Sequence, residues 1–193
     1  MVLVLMSGGI DSTLLATRAH EAGHLGAVLF VDYGQPAARM ESQAVTRWSY
    51  RRKVEAIRLT VRMLGVGDAM RIGIGAPGLR IVPGRNLILA SHAINIAKGR
   101  GFDEVWFGAN ANDNHYPDCR PGWIDALDAL VKSDVGVRVR APLVEMSKAE
   151  IVTAARTAGI NLAETWSCYQ PVDMVEPCGT CNACVSRDQT SEG

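Results

Sequence analysis

Short apolar runs alternate with helical stripes along most of the chain, and this alternation limits the possible folds more than any other feature. The first run, VLVLM at residues 2–6, ends at two glycines and is typical of a buried strand. Residues 11–22 then place leucines and alanines on one helical face, and Gly23 closes that helix. Strands that alternate with helices form βα units, so we expect a parallel sheet with helices on both faces.

The same alternation continues to about residue 160 and then stops. Further strands are predicted at residues 26–31, 54–59, 103–107 and 137–141, and further helices at 36–52, 85–98, 123–132 and 147–159. Residues 64–84 carry many glycines and little periodicity, which predicts a loop. We therefore divide the chain into an α/β domain at residues 1–160 and a cysteine-rich tail at residues 161–193.

A glycine-rich run, SGGIDS at residues 7–12, joins the first predicted strand to the first predicted helix. In a parallel sheet, ligands bind beyond the carboxyl ends of the strands, and a helix N-terminus there offers free N–H groups to a phosphate. The run lacks the lysine of a Walker A loop and the glycine spacing of a dinucleotide-binding turn. It favours a phosphate-binding loop over an ordinary capped turn. The candidate ligands are Ser7, Gly8, Gly9, Asp11, Ser12 and Thr13.

Four of the five cysteines lie in the tail, as Cys168, Cys178, Cys181 and Cys184. Four thiolates can form a closed tetrahedral Zn²⁺ shell, which is the structural type of zinc site. Iron–sulfur clusters use similar spacing, so the spacing alone leaves the metal open. Because the tail is too polar to form its own core, we expect metal binding to contribute to its folding.

The overall composition disfavours two classes of partner. Twenty basic and twenty acidic side chains give a formal net charge of zero, which disfavours a nucleic-acid partner. A local basic stretch at residues 47–62 favours a solvated helix face over nucleic-acid contact. No apolar run approaches the roughly 20 residues of a membrane span, and the start lacks a signal-peptide pattern. We therefore expect a cytoplasmic chain without a membrane partner.

Six blocks of sequence carry a resemblance to a known family. The run at residues 7–12 resembles the PP-loop of the ATP pyrophosphatases, which adenylate carbonyl oxygens and release pyrophosphate. Together with it, five further blocks resemble the 7-cyano-7-deazaguanine (preQ0) synthase family, in the family's order and over nearly the whole chain. They are VDYGQ at residues 31–35, VPGRN at 82–86, YPDCRP at 116–121, APL at 141–143 with SKAE at 147–150, and WSCY at 166–169 followed by the terminal cysteines.

The resemblance implies a doubly wound α/β fold of the adenine nucleotide α-hydrolase-like type, with a small C-terminal zinc-binding tail. It implies an ATP-dependent carbon–nitrogen ligase that converts 7-carboxy-7-deazaguanine and ammonia to the nitrile through adenylated intermediates. The implied cofactors are ATP, Mg²⁺ and structural Zn²⁺. The implied partners are small molecules, and a homodimer is compatible with the resemblance.

The resemblance also suggests roles for residues outside the glycine run. Lys148 would act with Asp11 on the charge of the phosphates, and Asp32, at the end of the second strand, would contact adenosine. Arg85, Asn86, Asp118 and Arg120 would bind the deazapurine substrate. For Arg120, a bidentate pair with the substrate carboxylate is expected.

Cys119 is the fifth cysteine, and a single cysteine of this kind is more often buried and inert than nucleophilic. A persulfide-carrying Cys119 would instead be expected in a tRNA thiolase, which is one alternative among the PP-loop adenylating enzymes. A non-catalytic zinc-bearing nucleotide-binding protein is the other alternative.

Overall fold

The structure is a computed structural model that describes residues 1–62, residue 82 and residues 84–191, with only the backbone described at 188–191. Most of the loop predicted at residues 64–84 therefore lies outside the described residues. The strands are β1 (Val2–Leu5), β2 (Leu25–Asp32), β3 (Ala56–Thr60), β4 (Glu104–Trp106) and β5 (Arg138–Arg140). The helices are α1 (Ile10–Glu21), α2 (Ala38–Arg52), α3 (Arg85–Arg100), α4 (Pro121–Asp134), α5 (Lys148–Thr157) and α6 (Asn182–Ser191).

The five strands form one parallel sheet in the order β3-β2-β1-β4-β5. The chain builds outwards from β1 to β3, then returns to the other side of β1 to add β4 and β5. The strand order therefore reverses between β1 and β4, and such a switch point opens a crevice at the carboxyl ends of the strands. The predicted doubly wound fold is confirmed.

Two apolar cores lie on opposite faces of the sheet. One contains Leu14, Val45 and Ile151, from α1, α2 and α5 respectively. The other contains Ala93 and Leu127, from α3 and α4. Both faces of the central strands are therefore buried, which explains why their sequences are continuous apolar runs instead of alternating ones.

Local signals set several helix ends. The predicted capping box opens α5, because the Ser147 hydroxyl accepts from the Glu150 amide and the Glu150 carboxylate accepts from the Ser147 amide. Helix α4 begins two residues before its predicted start because Pro121 fits the first helical turn. Helix α6 was not predicted, since NACVSRDQTS carries no apolar stripe. Within the described residues, no helix combines the length and apolarity that a membrane crossing requires.

Candidate active site

A cavity of about 280 Å³ lies at the switch point of the sheet. The ends of β1, β2 and β4 form its floor, and the starts of α1, α2 and α3 contribute its walls. Polar and ionisable side chains converge on it from segments that are far apart in the sequence. Its polar and cysteine lining comes from Ser7, Asp11, Ser12, Tyr33, Gln35, Glu41, Arg85, Asn86, Asp113, Tyr116, Cys119 and Tyr169.

The predicted phosphate loop lies at one end of this cavity. Helix α1 begins after Gly9, which has no side-chain cap, and the first intrahelical bond runs from the Thr13 amide to the Gly9 carbonyl. The amides of the first turn therefore have no carbonyl partner within the helix and can bind an anion. The Ser7 and Ser12 hydroxyls lie 3.3 Å apart beside them. The loop thus brings backbone and hydroxyl donors together at the start of α1.

Gly8 gives this loop its shape. Its φ of +79° lies in the left-handed region, and a Cβ there would lie 2.8 Å from the Ala44 Cβ and 2.9 Å from the Glu41 carbonyl oxygen. Its carbonyl accepts a hydrogen bond of 2.8 Å from the Trp166 amide, which ties the tail to the loop. Helix α2 therefore packs directly against the loop, and only glycine leaves room for this contact.

An ion pair joins the two residues predicted to be catalytic. The Lys148 Nζ donates to both carboxylate oxygens of Asp11, at 2.8 and 2.7 Å, although 137 residues separate them. Asp113 lies close by, and its carboxylate accepts a hydrogen bond of 2.7 Å from the side-chain Nδ2 of Asn110. Burial raises the pKa of Asp113, the Asp11 charge raises it further, and Lys148 partly offsets both effects. This edge of the cavity therefore carries one lysine and two carboxyl groups. The carboxyl groups, Asp11 and Asp113, line the cavity, and Lys148 lies behind Asp11.

Arg85 and Asn86 form the other end of the cavity. Arg85 makes a side-chain hydrogen bond with Tyr33, and the negative charge of Asp118 lies near it. Asp118 holds Asn86 through two hydrogen bonds of 3.4 Å. The Asn86 backbone N–H donates to the Asp118 carboxylate, and the Asn86 side chain donates to the Asp118 carbonyl. Its side chain also reaches the Cys119 sulfur at 3.4 Å. Three of the predicted substrate residues, Arg85, Asn86 and Asp118, are thus brought together.

Cys119 is a buried thiol at this end. It is 7% exposed, and burial together with the charges of Asp113 and Asp118 raises its pKa to about 12. A thiol with this pKa stays protonated at neutral pH and is a poor nucleophile. The interpretation of Cys119 as an inert thiol agrees with this environment.

Several predicted residues lie near the cavity without lining it. Thr13 lines a separate, smaller cavity, and Gly8 faces α2. Asp32 accepts from the Gly34 amide at 2.9 Å, while its neighbours Val31 and Tyr33 are the ones that reach the cavity. The exposed side chain of Arg120 donates from Nε to the Asn114 carbonyl at 2.9 Å.

The four tail cysteines form a cluster whose sulfur atoms all lie within 4.8 Å of one another. A tetrahedral shell with Zn–S bonds of about 2.3 Å requires sulfurs roughly 3.8 Å apart, so the cluster can bind a metal with little adjustment. The pKa of Cys178 is lowered to about 6, mainly because its sulfur accepts a hydrogen bond from the Thr180 backbone amide. A lower pKa favours the thiolate form that a metal requires. The cysteine spacing therefore predicted a real cluster.

The sequence did not single out Gln35, Glu41 or Asp113, which line the cavity. Gln35 lay in a recognised block, but nothing marked its contact with Glu41, which depends on how α2 packs. Asp113 had no signal, because it lies on a short helical turn, Ala111–Asp113, outside every motif.

Comparison with known proteins decides the family. A family model described as queuosine biosynthesis protein QueC matches residues 1–192. The chain belongs to the QueC family. A relative from Microcystis aeruginosa named 7-cyano-7-deazaguanine synthase is 36% identical to this QueC chain, over 97% of this chain and 89% of the relative. A relative of the same name from Nitrosococcus oceani is 35% identical, over 97% and 91% of the two chains.

Solved structures with low sequence identity share the QueC fold. The U34-tRNA thiolase NcsA from Methanococcus maripaludis, solved with its 4Fe–4S cluster, has a TM-score of 0.60 at 14% identity, over 99% of this chain and 64% of the thiolase. An NMN synthetase from Francisella tularensis has a TM-score of 0.57 at 15% identity, over 94% and 69% of the two chains. These similarities concern the fold alone, and they agree with the doubly wound α/β architecture described above.

Proposed function

We propose that this protein is an ATP-dependent ligase that converts 7-carboxy-7-deazaguanine and ammonia to 7-cyano-7-deazaguanine. The observation that carries the proposal is that one cavity is lined both by the phosphate loop and by Arg85 and Asn86. An enzyme that adenylates a carboxylate must bind ATP and the carboxylate substrate in the same cavity, because the carboxylate must reach the α-phosphate of ATP. The family membership then selects the substrate.

In this reaction, the substrate carboxylate attacks the α-phosphate and forms an acyl adenylate with release of pyrophosphate. Ammonia displaces AMP to give the amide. A second ATP adenylates the amide oxygen, and loss of AMP leaves the nitrile. The route needs no nucleophilic side chain, so the protein contributes by positioning the reactants and stabilising the charge that develops at phosphorus.

The phosphate end of the cavity would act on the leaving pyrophosphate. The first-turn amides of α1 and the hydroxyls of Ser7 and Ser12 would bind it. Lys148, which Asp11 holds beside the cavity, would add a positive charge to the phosphates. Mg²⁺ would neutralise phosphate charge, and the carboxylates of Asp11 and Asp113 line the cavity where it would be held.

The opposite end would bind the deazapurine. Arg85 offers a planar guanidinium to the substrate carboxylate, and Asn86 offers an amide to the base edge. Asp118 would act through Asn86, which it holds in place. Arg120 would have to leave the Asn114 carbonyl before it could reach a substrate carboxylate.

For the cysteine cluster, we propose Zn²⁺ in a structural role. Four sulfur ligands leave no open coordination position for chemistry, and the cluster lies in the tail that contacts the phosphate loop through Trp166. Zinc would therefore support the loop indirectly, by holding the tail against it.

The test of function is direct. The purified, metal-loaded protein is incubated with ATP, Mg²⁺, ammonium and 7-carboxy-7-deazaguanine, and the products are identified by mass spectrometry. We expect the nitrile, with two AMP for each nitrile formed. ATP binding without the nitrile would refute the proposal and favour a non-catalytic nucleotide-binding protein. A thiolated tRNA product would favour a thiolase, a function that the buried and protonated Cys119 does not support.

A further inference from the structure

Glu41 is a cavity-lining carboxyl group that the reaction described above does not yet use. It lies in the first turn of α2, and its side chain lines the cavity between the phosphate loop and Arg85. Its backbone carbonyl lies against Gly8, so the residue is fixed next to the loop. Glu41 therefore lies between the two ends that the proposed reaction brings together.

A second buried side chain holds Glu41 in place. Gln35 is 6% exposed and donates from Nε2 to the Glu41 Oε2 at 2.8 Å and to the Val31 carbonyl at 3.2 Å. Its own amide oxygen accepts from the Tyr33 backbone at 2.9 Å, which fixes the orientation of the side-chain amide. Gln35 thus leaves the rest of the Glu41 carboxyl group available, and no other described residue forms a hydrogen bond with it.

We propose that Glu41 is the general base that accepts a proton from the ammonia nitrogen when it attacks the acyl adenylate. The inference rests on the proposed function. The nitrogen lone pair forms the new C–N bond, and one N–H proton passes to the Glu41 carboxylate. The bond from the acyl carbon to the phosphate oxygen breaks, and its electron pair leaves with AMP. The products are the amide, AMP and a protonated Glu41, so atoms and charges balance.

The environment of Glu41 suits this task. Burial raises the pKa of Glu41 to about 7, while the Gln35 hydrogen bond and the Arg85 charge lower it and the Asp32 charge raises it. Tyr33 is a further ionisable group on this side, besides Arg85 and Asp32, and its own pKa is raised, mainly by burial. A base with a pKa near the working pH combines a useful ionised fraction with enough basicity to accept a proton.

The other ionisable groups of the cavity suit this role less well. Asp11 is paired with Lys148, and Asp113 lies beside that pair, at the end where the pyrophosphate would bind. Cys119 has a pKa of about 12 and stays protonated. The phenol of Tyr33 is engaged with Arg85 and its pKa is raised above the ordinary value. Of the three carboxyl groups that line the cavity among the described residues, Glu41 is the one whose side chain lies outside the group of Asp11, Asp113 and Lys148.

The experiment separates the two halves of the reaction in Glu41→Gln. The first half is followed as exchange of labelled pyrophosphate into ATP, with the carboxy-deazaguanine present and ammonia absent. The second is followed as amide formed from the adenylate after ammonium is added. We expect exchange within about twofold of wild type, and amide formation slower by about 10²–10³-fold, the range typical of general base catalysis. Glu21→Gln, at the exposed end of α1, is the matched control and should change neither rate.

The pH profile gives an independent readout. At constant free ammonia, the wild-type amide-forming rate should rise through a pKa near 7, and Glu41→Gln should lose that limb. Glu41→Asp keeps a carboxylate and should keep the limb with a lower plateau, which also guards against a Gln variant that folds poorly. Equal amide-forming rates in wild type and Glu41→Gln would overturn the inference, as would a parallel loss of exchange. A wild type that makes no nitrile would count against the proposed function instead.

Discussion

The contact between Gly8 and α2 can be tested with Gly8→Ala. An alanine there must adopt a φ of +79°, which costs roughly 1–2 kcal/mol for a residue with a Cβ. Its methyl group would also lie 2.9 Å from the Glu41 carbonyl oxygen and 2.8 Å from the Ala44 methyl. Because a backbone carbonyl cannot rotate away, α2 must shift, and overpacking of this kind costs about 1–3 kcal/mol more. The expected total is about 2–5 kcal/mol of unfolding free energy.

Gly23→Ala is the matched control, because Gly23 follows the other end of the same helix. Its φ of +74° is similar, but no heavy atom lies within 4 Å of the position of its Cβ. It should therefore lose only the roughly 1–2 kcal/mol of backbone strain. Urea unfolding of both variants, followed by circular dichroism, measures the difference. Equal losses would refute the idea that Gly8 is required by its contact with α2, and would leave backbone conformation as the whole effect.

Three further predictions concern charge and metal. Glu41 holds its proton in the folded chain up to about pH 7 but only to about 4.5 when unfolded, so folding stability should fall by about 3 kcal/mol as pH rises between these values. Glu41→Gln should remove that slope in urea unfolding at pH 5 and pH 8. Lys148→Met should lower nitrile formation by roughly 10²–10³-fold, while Lys132→Met, on α4, should not. Cys168→Ala should lose bound zinc and melt at a lower temperature, whereas Cys119→Ser should keep its zinc by elemental analysis.

The fold was predictable because its signals are local. Each central strand is buried on both faces, so each appears in the sequence as a short apolar run with glycines or polar residues at its ends. Helix ends were marked by the Ser147 capping box and by Gly101, whose φ of +72° closes α3. Helix α6 had no such signal, because its sequence has no apolar stripe that would indicate a buried face.

The site was predictable only in part, because its residues are far apart in the sequence and are brought together by the order of the strands in the sheet. Asp11 follows β1 and Lys148 begins α5, and no local pattern says that they form an ion pair. Both residues were nevertheless predicted to belong to the site, because Asp11 lies in the glycine-rich run at residues 7–12 and Lys148 in the SKAE block at residues 147–150. Asp113 lies in no motif, and it belongs to the site only because β4 lies beside β1 in the sheet, which brings the segment after β4 to the cavity.

Glu41 shows why the remaining part of the site could not be predicted from the sequence. In the sequence it is one acidic residue near the start of a helix, where the dipole alone explains a negative charge. The structure places the same residue in a cavity, bonded to a buried glutamine and close to Arg85. Burial then shifts its pKa upwards, towards the protonated form that the helix dipole disfavours. A group held between these opposing effects can change protonation at neutral pH, and this property, which no sequence motif encodes, makes Glu41 suited to proton transfer.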